Sequence, residues 1–227
     1  MLKNMSALIY FLTLIPSLCF LISPSISQLS FTPAPVPGSI PFHYINRGNF
    51  DVNIGEFESA FRCVGIHSPK FSLCFYTNIN ILNSFTLGIG MSYPPKWVWS
   101  PNRNNPVRDG ASLSLGKDGN LVLADDDGRV VWQTNTANNG VIGFKLLDNG
   151  NLVLYDANNN FVWQSFDYPS DTLLAGQSLK AGLTNKLVSN ASPSSYFEGN
   201  YTLEMSPNNV SLYYKSSNNP TPLPYYS

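Results

Sequence analysis

The feature that most constrains this fold is a segment that occurs twice along the chain. The two copies read Asp118-Gly-Asn-Leu-Val-Leu-Ala124 with Gly128-Arg-Val-Val-Trp-Gln-Thr134, and Asp148-Asn-Gly-Asn-Leu-Val-Leu-Tyr155 with Asn160-Phe-Val-Trp-Gln-Ser165. Asn120 and Asn151 are 31 residues apart, and so are Trp132 and Trp163. A constant spacing of this size indicates a repeat architecture, in which each small unit needs its neighbours to bury its apolar face.

Each copy alternates apolar and polar residues, which is typical of a strand with one buried face. The alternation breaks at Asp118-Gly119 and Asn149-Gly150, and both pairs favour a hairpin turn. Trp99 lies 33 residues before Trp132 and marks a third, more diverged copy. We therefore predict an all-β protein with pseudo-threefold symmetry, three or four strands per repeat, and a tryptophan from each repeat in the central core.

Strict alternation makes two further predictions about which side chains share a face. Ile142, Phe144 and Leu146 should all point into the core, because they are two residues apart along one strand. By the same rule, Trp97 should lie on the same face as Trp99 and belong to the same core.

The two ends of the chain differ in composition from the repeats. Residues 1–27 have the layout of a secretory signal peptide, with Lys3, an apolar run, and small residues before position 28. The alternative is a membrane anchor, which Pro16 and the shortness of the run disfavour. Residues 28–44 form a proline-rich lead-in, predicted to be extended rather than core. Residues 168–227 are a connector followed by an incomplete second β module or a tail, with strands predicted at 196–205 and 210–215.

Composition excludes several classes of function. The net charge of −1 and the lack of a basic patch argue against a nucleic-acid partner. Beyond the signal peptide, no apolar stretch approaches the roughly 20 residues of a membrane span. His43 and His67 have no catalytic partners in any recognisable pattern, so we expect no enzyme and no cofactor. Asp125-Asp-Asp-Gly128 lacks the spacing and the distal Glu of a calcium loop, so we predict a hairpin turn and no metal site.

Cysteine and asparagine patterns point to processing in an oxidising compartment. Cys19 leaves with the signal peptide, and Cys63 and Cys74 flank a predicted hairpin tip at 67–70. They either form a disulfide or remain buried thiols on strands that do not meet. Three N-glycosylation sequons follow the repeats, and Pro193 makes the first of them the weakest. The acceptor residues are Asn190, Asn200 and Asn209.

The repeat resembles the bulb-type, mannose-binding lectin domain of monocots. The flanking motifs Val98-Trp-Ser-Pro-Asn-Arg103 and Trp163-Gln-Ser-Phe-Asp-Tyr-Pro-Ser-Asp-Thr-Leu-Leu174 are similar to those of S-locus glycoproteins and receptor-kinase ectodomains. Within that group, the chain resembles the plant epidermis-specific secreted glycoproteins. The resemblance implies a β-prism II fold of three four-stranded sheets over residues 45–167, followed by a partial β-rich segment. It also implies a plant protein secreted to the cell wall or apoplast.

The family binds sugar through the pattern Gln-x-Asp-x-Asn-x-Val-x-Tyr, which sets alternate residues of a strand in one row. Both copies of the pattern are eroded in this chain. The first keeps Asp118, Asn120 and Val122, and the second keeps Asn151, Val153 and Tyr155. These residues either bind mannose-type sugar weakly or serve only as turn residues, with Asn120 and Asn151 capping the turns.

Two hypotheses for function remain open. In the first, the chain is a secreted lectin-like glycoprotein that recognises mannose-type glycans or cell-wall polysaccharide. In the second, the same scaffold is a structural or protein-interaction module of the wall that binds a protein partner or no ligand. An aromatic groove elsewhere, at Tyr93, Trp97 or Tyr168, would favour the first hypothesis.

Overall fold

The structure is a computed structural model that describes residues 41–53, 59–81, 83–181, 186–216 and 219–226. The predicted signal peptide and residues 28–40 of the lead-in lie outside the described residues. The described part is built from antiparallel strands, with a single 3-10 turn at Ser165–Asp167. No helix in this part of the chain has the length and apolarity needed to cross a membrane.

Three sheets surround a common core. Sheet I contains β2 (Asp51–Asn53), β3 (Ser59–His67), β4 (Phe71–Asn78), β5 (Thr86–Ser92) and β6 (Pro95–Trp99) in that order. Sheet II has the order β1 (Phe42–Ile45), β7 (Ser112–Leu115), β8 (Leu121–Ala124) and β9 (Val130–Gln133). Sheet III contains β10 (Val141–Leu146), β11 (Leu152–Asp156) and β12 (Phe161–Gln164). The arrangement is the predicted all-β prism with pseudo-threefold symmetry.

The sheets contain five, four and three strands rather than four each. Among the described residues, the additional strand of sheet I is β2, which lies at its edge. The edge of sheet II is β1, whose Phe42–Ile45 pair with Ser112–Leu115 of β7. Phe42 and Tyr44 pack against the core. The end of the predicted lead-in is therefore a strand of the prism, because its alternate residues find an apolar surface to cover.

The core lies between the inner faces of the three sheets, where alternation places the apolar side chains. Leu121 and Leu123 of β8, and Leu152 and Leu154 of β11, are fully buried. The turns before these strands have positive φ at Gly119 (81°) and Gly150 (86°), as Asp-Gly and Asn-Gly turns require. The hairpins predicted from the two repeats are thereby confirmed.

The three repeat tryptophans meet where the three sheets converge, with Trp99 and Trp163 buried and Trp132 partly buried. Trp99, Trp132 and Trp163 make three edge-to-face contacts with ring centroids 5.7 to 6.1 Å apart. Each lies in the last strand of its sheet. Edge-to-face geometry sets the positive edge of one ring against the negative face of the next, which adds stability beyond area burial. The predicted tryptophan core is confirmed.

A β-bulge precedes each of these tryptophans. The strand register shifts between Trp97 and Trp99, between Val130 and Trp132, and between Phe161 and Trp163. The extra residue in each strand is a valine. A bulge turns the preceding side chain to the opposite face of the sheet. Val130 and Phe161 are accordingly about half exposed, at 52% and 49%.

Two predictions from strict alternation are wrong because of bulges. Trp97 is buried, but it belongs to a second cluster on the outer face of sheet I, with Tyr76 and Tyr196, and not to the core of Trp99. Ile142 is 50% exposed, because a register shift between Val141 and Gly143 turns it outward. Val141 packs against the core in its place.

Cys63 and Cys74 form a disulfide across β3 and β4. They are directly opposed in the register of the two strands. The hairpin tip is Ser68–Lys70, where the Ser68 N–H donates to the Phe71 carbonyl oxygen at 2.8 Å. The disulfide alternative is therefore the one the structure supports, since the hairpin predicted from the sequence sets the two cysteines face to face.

A fourth sheet packs on the outer face of sheet I. Sheet IV contains β13 (Lys186–Ser192), β14 (Ser195–Ser206), β15 (Asn209–Ser216) and β16 (Asn219–Tyr226). Tyr196 lies against the Tyr76 ring at 5.4 Å, and its hydroxyl donates to the Ser84 carbonyl oxygen at 2.8 Å. The strands predicted at 196–205 and 210–215 correspond to β14 and β15.

Arg103 joins sheet IV to the prism. This side chain is 5% exposed, and its guanidinium donates to the carbonyl oxygens of Val188, Ser189 and Tyr196, each at 2.9 Å. It also donates to the Asn190 side-chain oxygen at 2.7 Å. A buried guanidinium is stable only when its donors are satisfied, so Arg103 and the backbone of sheet IV depend on each other.

We expect Trp163→Ala to lower the free energy of unfolding by about 3–5 kcal/mol, because it opens a cavity at the tryptophan contact. Phe161→Ala, two residues away on the same strand but half exposed, should cost about 1 kcal/mol or less. Urea denaturation followed by circular dichroism measures both values. Equal losses for the two variants would contradict a central role for the tryptophan contact.

We expect Arg103→Ala to loosen sheet IV, since several buried carbonyl oxygens would lose their donors at about 1–3 kcal/mol each. Hydrogen–deuterium exchange should become faster in β13 and β14 and stay unchanged in β10–β12. Arg129→Ala is the matched control, because Arg129 is an exposed arginine that pairs with Asp125. Unchanged exchange in β13 and β14 of Arg103→Ala would refute the linking role of this residue.

Candidate functional site

The first eroded motif lies on the outer face of sheet II. Asp118 is exposed, and Asn120 and Val122 are half-buried along β8 and the turn before it. The Asn120 N–H donates to Asp118 Oδ1 at 3.1 Å, so the carboxylate closes the turn. The structure brings these three residues into one row that solvent reaches.

The side chain of Asn120 is engaged within the protein. Its Nδ2 donates to Gln133 Oε1 at 2.9 Å. Its Oδ1 accepts from the Thr134 hydroxyl at 3.2 Å and from the Thr136 N–H at 3.1 Å. Asn120 thus ties the β7–β8 turn to the segment that follows β9.

The second eroded motif repeats this arrangement on sheet III. Asn151 Nδ2 donates to Gln164 Oε1 at 2.9 Å, and its Oδ1 accepts from the Ser165 hydroxyl and the Phe166 N–H, both at 3.2 Å. The glutamine and hydroxyl contacts recur 13 and 14 residues after each asparagine, and the backbone N–H contact lies 16 residues on in the first copy and 15 in the second. The two asparagines therefore hold their turns in nearly the same way.

The two rows differ in access. Asn151 is 3% exposed and Val153 is fully buried, and only Tyr155 is half-buried, with Lys145 Nζ 4.9 Å from its ring centroid. Gln164 Nε2 also donates to Asp167 Oδ2 at 3.0 Å, and Lys180 pairs with Asp167. The connector after β12 therefore closes the row on sheet III, whereas the row on sheet II stays open.

Sheet I has no comparable row. The Leu87 N–H donates to a side-chain oxygen, as the N–H groups of Leu121 and Leu152 do. Thr86, the residue before Leu87, therefore occupies the position that Asn120 and Asn151 hold in the other two sheets. The positions that follow on this face are Gly88 and Gly90. A Cβ at Gly88 would lie 2.5 Å from the Tyr76 ring, and one at Gly90 would lie 2.9 Å from the Trp97 ring. The two rings stack at 4.0 Å, and sheet IV covers them.

Sequence reasoning missed Gln133 and Gln164. In the strand register Gln133 lies opposite Val122, and Gln164 lies opposite Val153. Each glutamine brings a carboxamide to a row that has lost the glutamine of the family pattern. The repeated Trp-Gln dipeptide at 132–133 and 163–164 is the sequence signal that could have revealed them.

The acidic turn at Asp125–Asp127 is a charge-paired hairpin turn. Arg108 pairs with all three carboxylates, and Arg129 with Asp125. Burial raises the pKa of Asp125, but hydrogen bonds from the Arg108 and Asp126 N–H groups and from both guanidinium groups outweigh it, so its pKa is lowered. The turn is the hairpin turn predicted from the sequence, and the two arginines offset two of its three negative charges.

The three sequons lie on sheet IV. The Asn190 side chain is half-buried and accepts a hydrogen bond from Arg103. Asn200 and Asn209 are exposed. Asn200 and Asn209 can therefore present their amides to the glycosylating enzyme without losing a contact to the prism, whereas Asn190 cannot.

The chain is similar in sequence to several known proteins. Residues 96–194 match the D-mannose binding lectin family. The chain is 48% identical over 205 residues to the epidermis-specific secreted glycoprotein EP1 of Daucus carota, covering 89% of this chain and 53% of that protein. It is 50% identical over 197 residues to EP1-like glycoprotein 4 of Arabidopsis thaliana, covering 85% and 44%. The chain thus spans about half the length of these relatives.

More distant matches include a receptor kinase and a solved structure. A G-type lectin S-receptor-like serine/threonine-protein kinase of Arabidopsis thaliana is 46% identical over 121 residues, covering 52% of this chain and 13% of the kinase. A monomeric monocot mannose-binding lectin from Gastrodia elata is 28% identical with a TM-score of 0.30, covering 40% of this chain and 76% of that one. Residues 96–194 thus match the D-mannose binding lectin family, and the chain is similar to the EP1 glycoproteins and to a G-type lectin receptor-like kinase.

Proposed function

We propose that this chain is a secreted plant glycoprotein that binds mannose-type carbohydrate weakly through Asp118, Asn120 and Val122. The observation that carries the proposal is that this row stays open on sheet II, whereas sheet IV covers the face of sheet I and the connector closes the row on sheet III. Among the described residues, this row keeps all of its surviving motif residues at least partly exposed to solvent, which supports the proposal.

The open row offers the groups that a sugar ring requires. Asp118 Oδ1 accepts the Asn120 N–H, which leaves the second carboxylate oxygen for sugar hydroxyls. Gln133 Oε1 accepts from Asn120, and its Nε2 is left to donate. Val122 supplies apolar contact for the ring carbons. With Gly116 and Ala124 in place of the family's glutamine and tyrosine, we expect a dissociation constant near 1 mM, or about 4 kcal/mol.

The remaining properties follow from the relatives and the sequence. The relative named as a secreted glycoprotein and the predicted signal peptide support secretion to the cell wall or apoplast. The role is binding rather than catalysis. The ligand is a mannose-type glycan or a wall polysaccharide.

A second candidate function is a structural or protein-interaction module of the wall. The observation that favours it is the internal use of both asparagine amides, which hold turns rather than point to a ligand. In this alternative, the prism is a scaffold that binds a protein partner or no ligand.

Calorimetric titration of the secreted, deglycosylated chain with mannose and a high-mannose oligosaccharide tests the proposal. We expect saturable heat that Asp118→Ala weakens by at least about tenfold, since a hydrogen bond to a charged group contributes about 1.5–3 kcal/mol.

Asn149→Ala is the matched control for Asp118→Ala. The Asn149 side chain accepts the same turn-closing bond from the Asn151 N–H at 3.1 Å, but in the closed row. The affinity of the Asn149→Ala variant for the sugar should equal that of the unmodified chain. Absence of heat at millimolar ligand in the unmodified chain would reject the proposal in favour of the second function.

We expect glycan attachment at Asn200 and Asn209 and an empty Asn190, because a glycan on Asn190 would displace its amide from Arg103. Peptide mass spectrometry of the secreted chain, with and without deglycosylation, measures the occupancy of each site. Arg103→Ala serves as a comparison, since it frees the Asn190 amide and should raise occupancy there. Full occupancy of Asn190 in the unmodified chain would contradict the expectation.

A further inference from the structure

A groove of about 220 Å³ runs between the tryptophan end of the prism and sheet IV. Its apolar surface comes from Trp132, Tyr168, Pro101 and Pro169, and its polar surface includes Lys186 and Glu198. None of these residues belongs to either eroded motif. The groove is thus separate from the row on sheet II.

The apolar surface of the groove is rigid. The Tyr168 ring stacks on Trp163 with centroids 5.5 Å apart and an interplanar angle of 13°, which occupies one face of the tyrosine. Its backbone oxygen accepts the Trp99 indole N–H at 2.8 Å, which fixes the chain at this position. The tyrosine remains 48% exposed. A fixed ring with exposed area suits stacking with little loss of conformational entropy.

The polar surface suits a neutral ligand with hydroxyl groups. Arg103 also lines the groove, but it is buried and its guanidinium donates to carbonyl oxygens of sheet IV, so it is directed at sheet IV and not at a ligand. Lys186 and Glu198 carry opposite charges. Glu198 Oε2 accepts from Asn104 Nδ2 at 2.7 Å, which orients the carboxylate and leaves Oε1 as an acceptor.

We propose that this groove is a second carbohydrate subsite that takes one pyranose residue of a neutral glycan. The apolar face of the sugar packs on Tyr168 and Trp132, and its hydroxyl groups bond to Glu198 and Lys186. The volume corresponds to about seven water molecules, which fits one sugar ring and not a longer segment. This subsite rests on the proposed carbohydrate-binding function and extends it to a site that the family pattern does not contain.

The test uses the full secreted, deglycosylated chain with methyl α-mannoside, methyl β-glucoside and methyl β-galactoside as probes. Saturation-transfer NMR detects weak binding, and titration gives the affinity. All variants carry Asp118→Ala, so that the row on sheet II does not contribute. We expect at least one probe to bind this background, and Tyr168→Ala to weaken that binding by about fivefold or more.

Three further variants locate the contacts. Tyr168→Phe keeps the stacking ring and should stay within about twofold of the background affinity. Glu198→Gln should weaken binding because it removes the charged acceptor at the rim. Tyr226→Ala is the matched control: this tyrosine is 67% exposed on β16, does not line the groove, and should leave the affinity unchanged.

The outcomes separate the groove from the row on sheet II. If Asp118→Ala abolishes all binding, the groove is not a carbohydrate subsite, and the proposed function stands. No binding by the unmodified chain would overturn both. If Tyr168→Ala lowers the melting temperature, Glu198→Gln decides, and an affinity unchanged by that variant overturns the subsite.

Discussion

The edge-to-face contact among Trp99, Trp132 and Trp163 is the interaction on which the rest of the prism depends. Each indole is the last large side chain of its sheet, so three sheets must converge for three rings to meet. The convergence also explains why a single repeat cannot fold alone, since one sheet would expose its tryptophan and its leucines. The bulge before each tryptophan serves the same contact, because it turns the strand so that the ring points inward while the residue two positions earlier points outward.

Because of this outward turn, the three sheets share one backbone arrangement but differ in the residues on their outer faces. On sheet I the outward residue is Trp97, which with Tyr76 fills the space above two glycines and receives sheet IV. On sheet III the connector closes over Asn151 and Val153. Sheet II is left with an open row and a half-exposed Val130. The exposure of each motif row to solvent is thus set by what covers its sheet.

Sheet IV changes the protein from a lectin-like prism into a larger assembly of sheets. Arg103 fixes it through bonds to backbone carbonyl oxygens, so the attachment depends on the position of the sheet IV backbone more than on its side chains. The same attachment creates the groove beside Tyr168, because neither the prism nor sheet IV forms that groove alone. Sheet IV thus covers the outer face of sheet I and at the same time forms a groove at the junction.

Local sequence patterns account for the repeats, the hairpin turns at Gly119 and Gly150, the inward leucines and the tryptophan core, because these depend on periodicity and on the backbone preferences of a few residues. The same patterns place Cys63 and Cys74 on either side of one turn, so their pairing needs only that hairpin. The remaining features arise from tertiary packing. The bulges that displaced Trp97 and Ile142, the joining of Phe42–Ile45 to sheet II and the closing of one motif row depend on which distant strands pair and cover each other. Such long-range contacts are set by the packing of the whole chain, and no short pattern in the sequence records them.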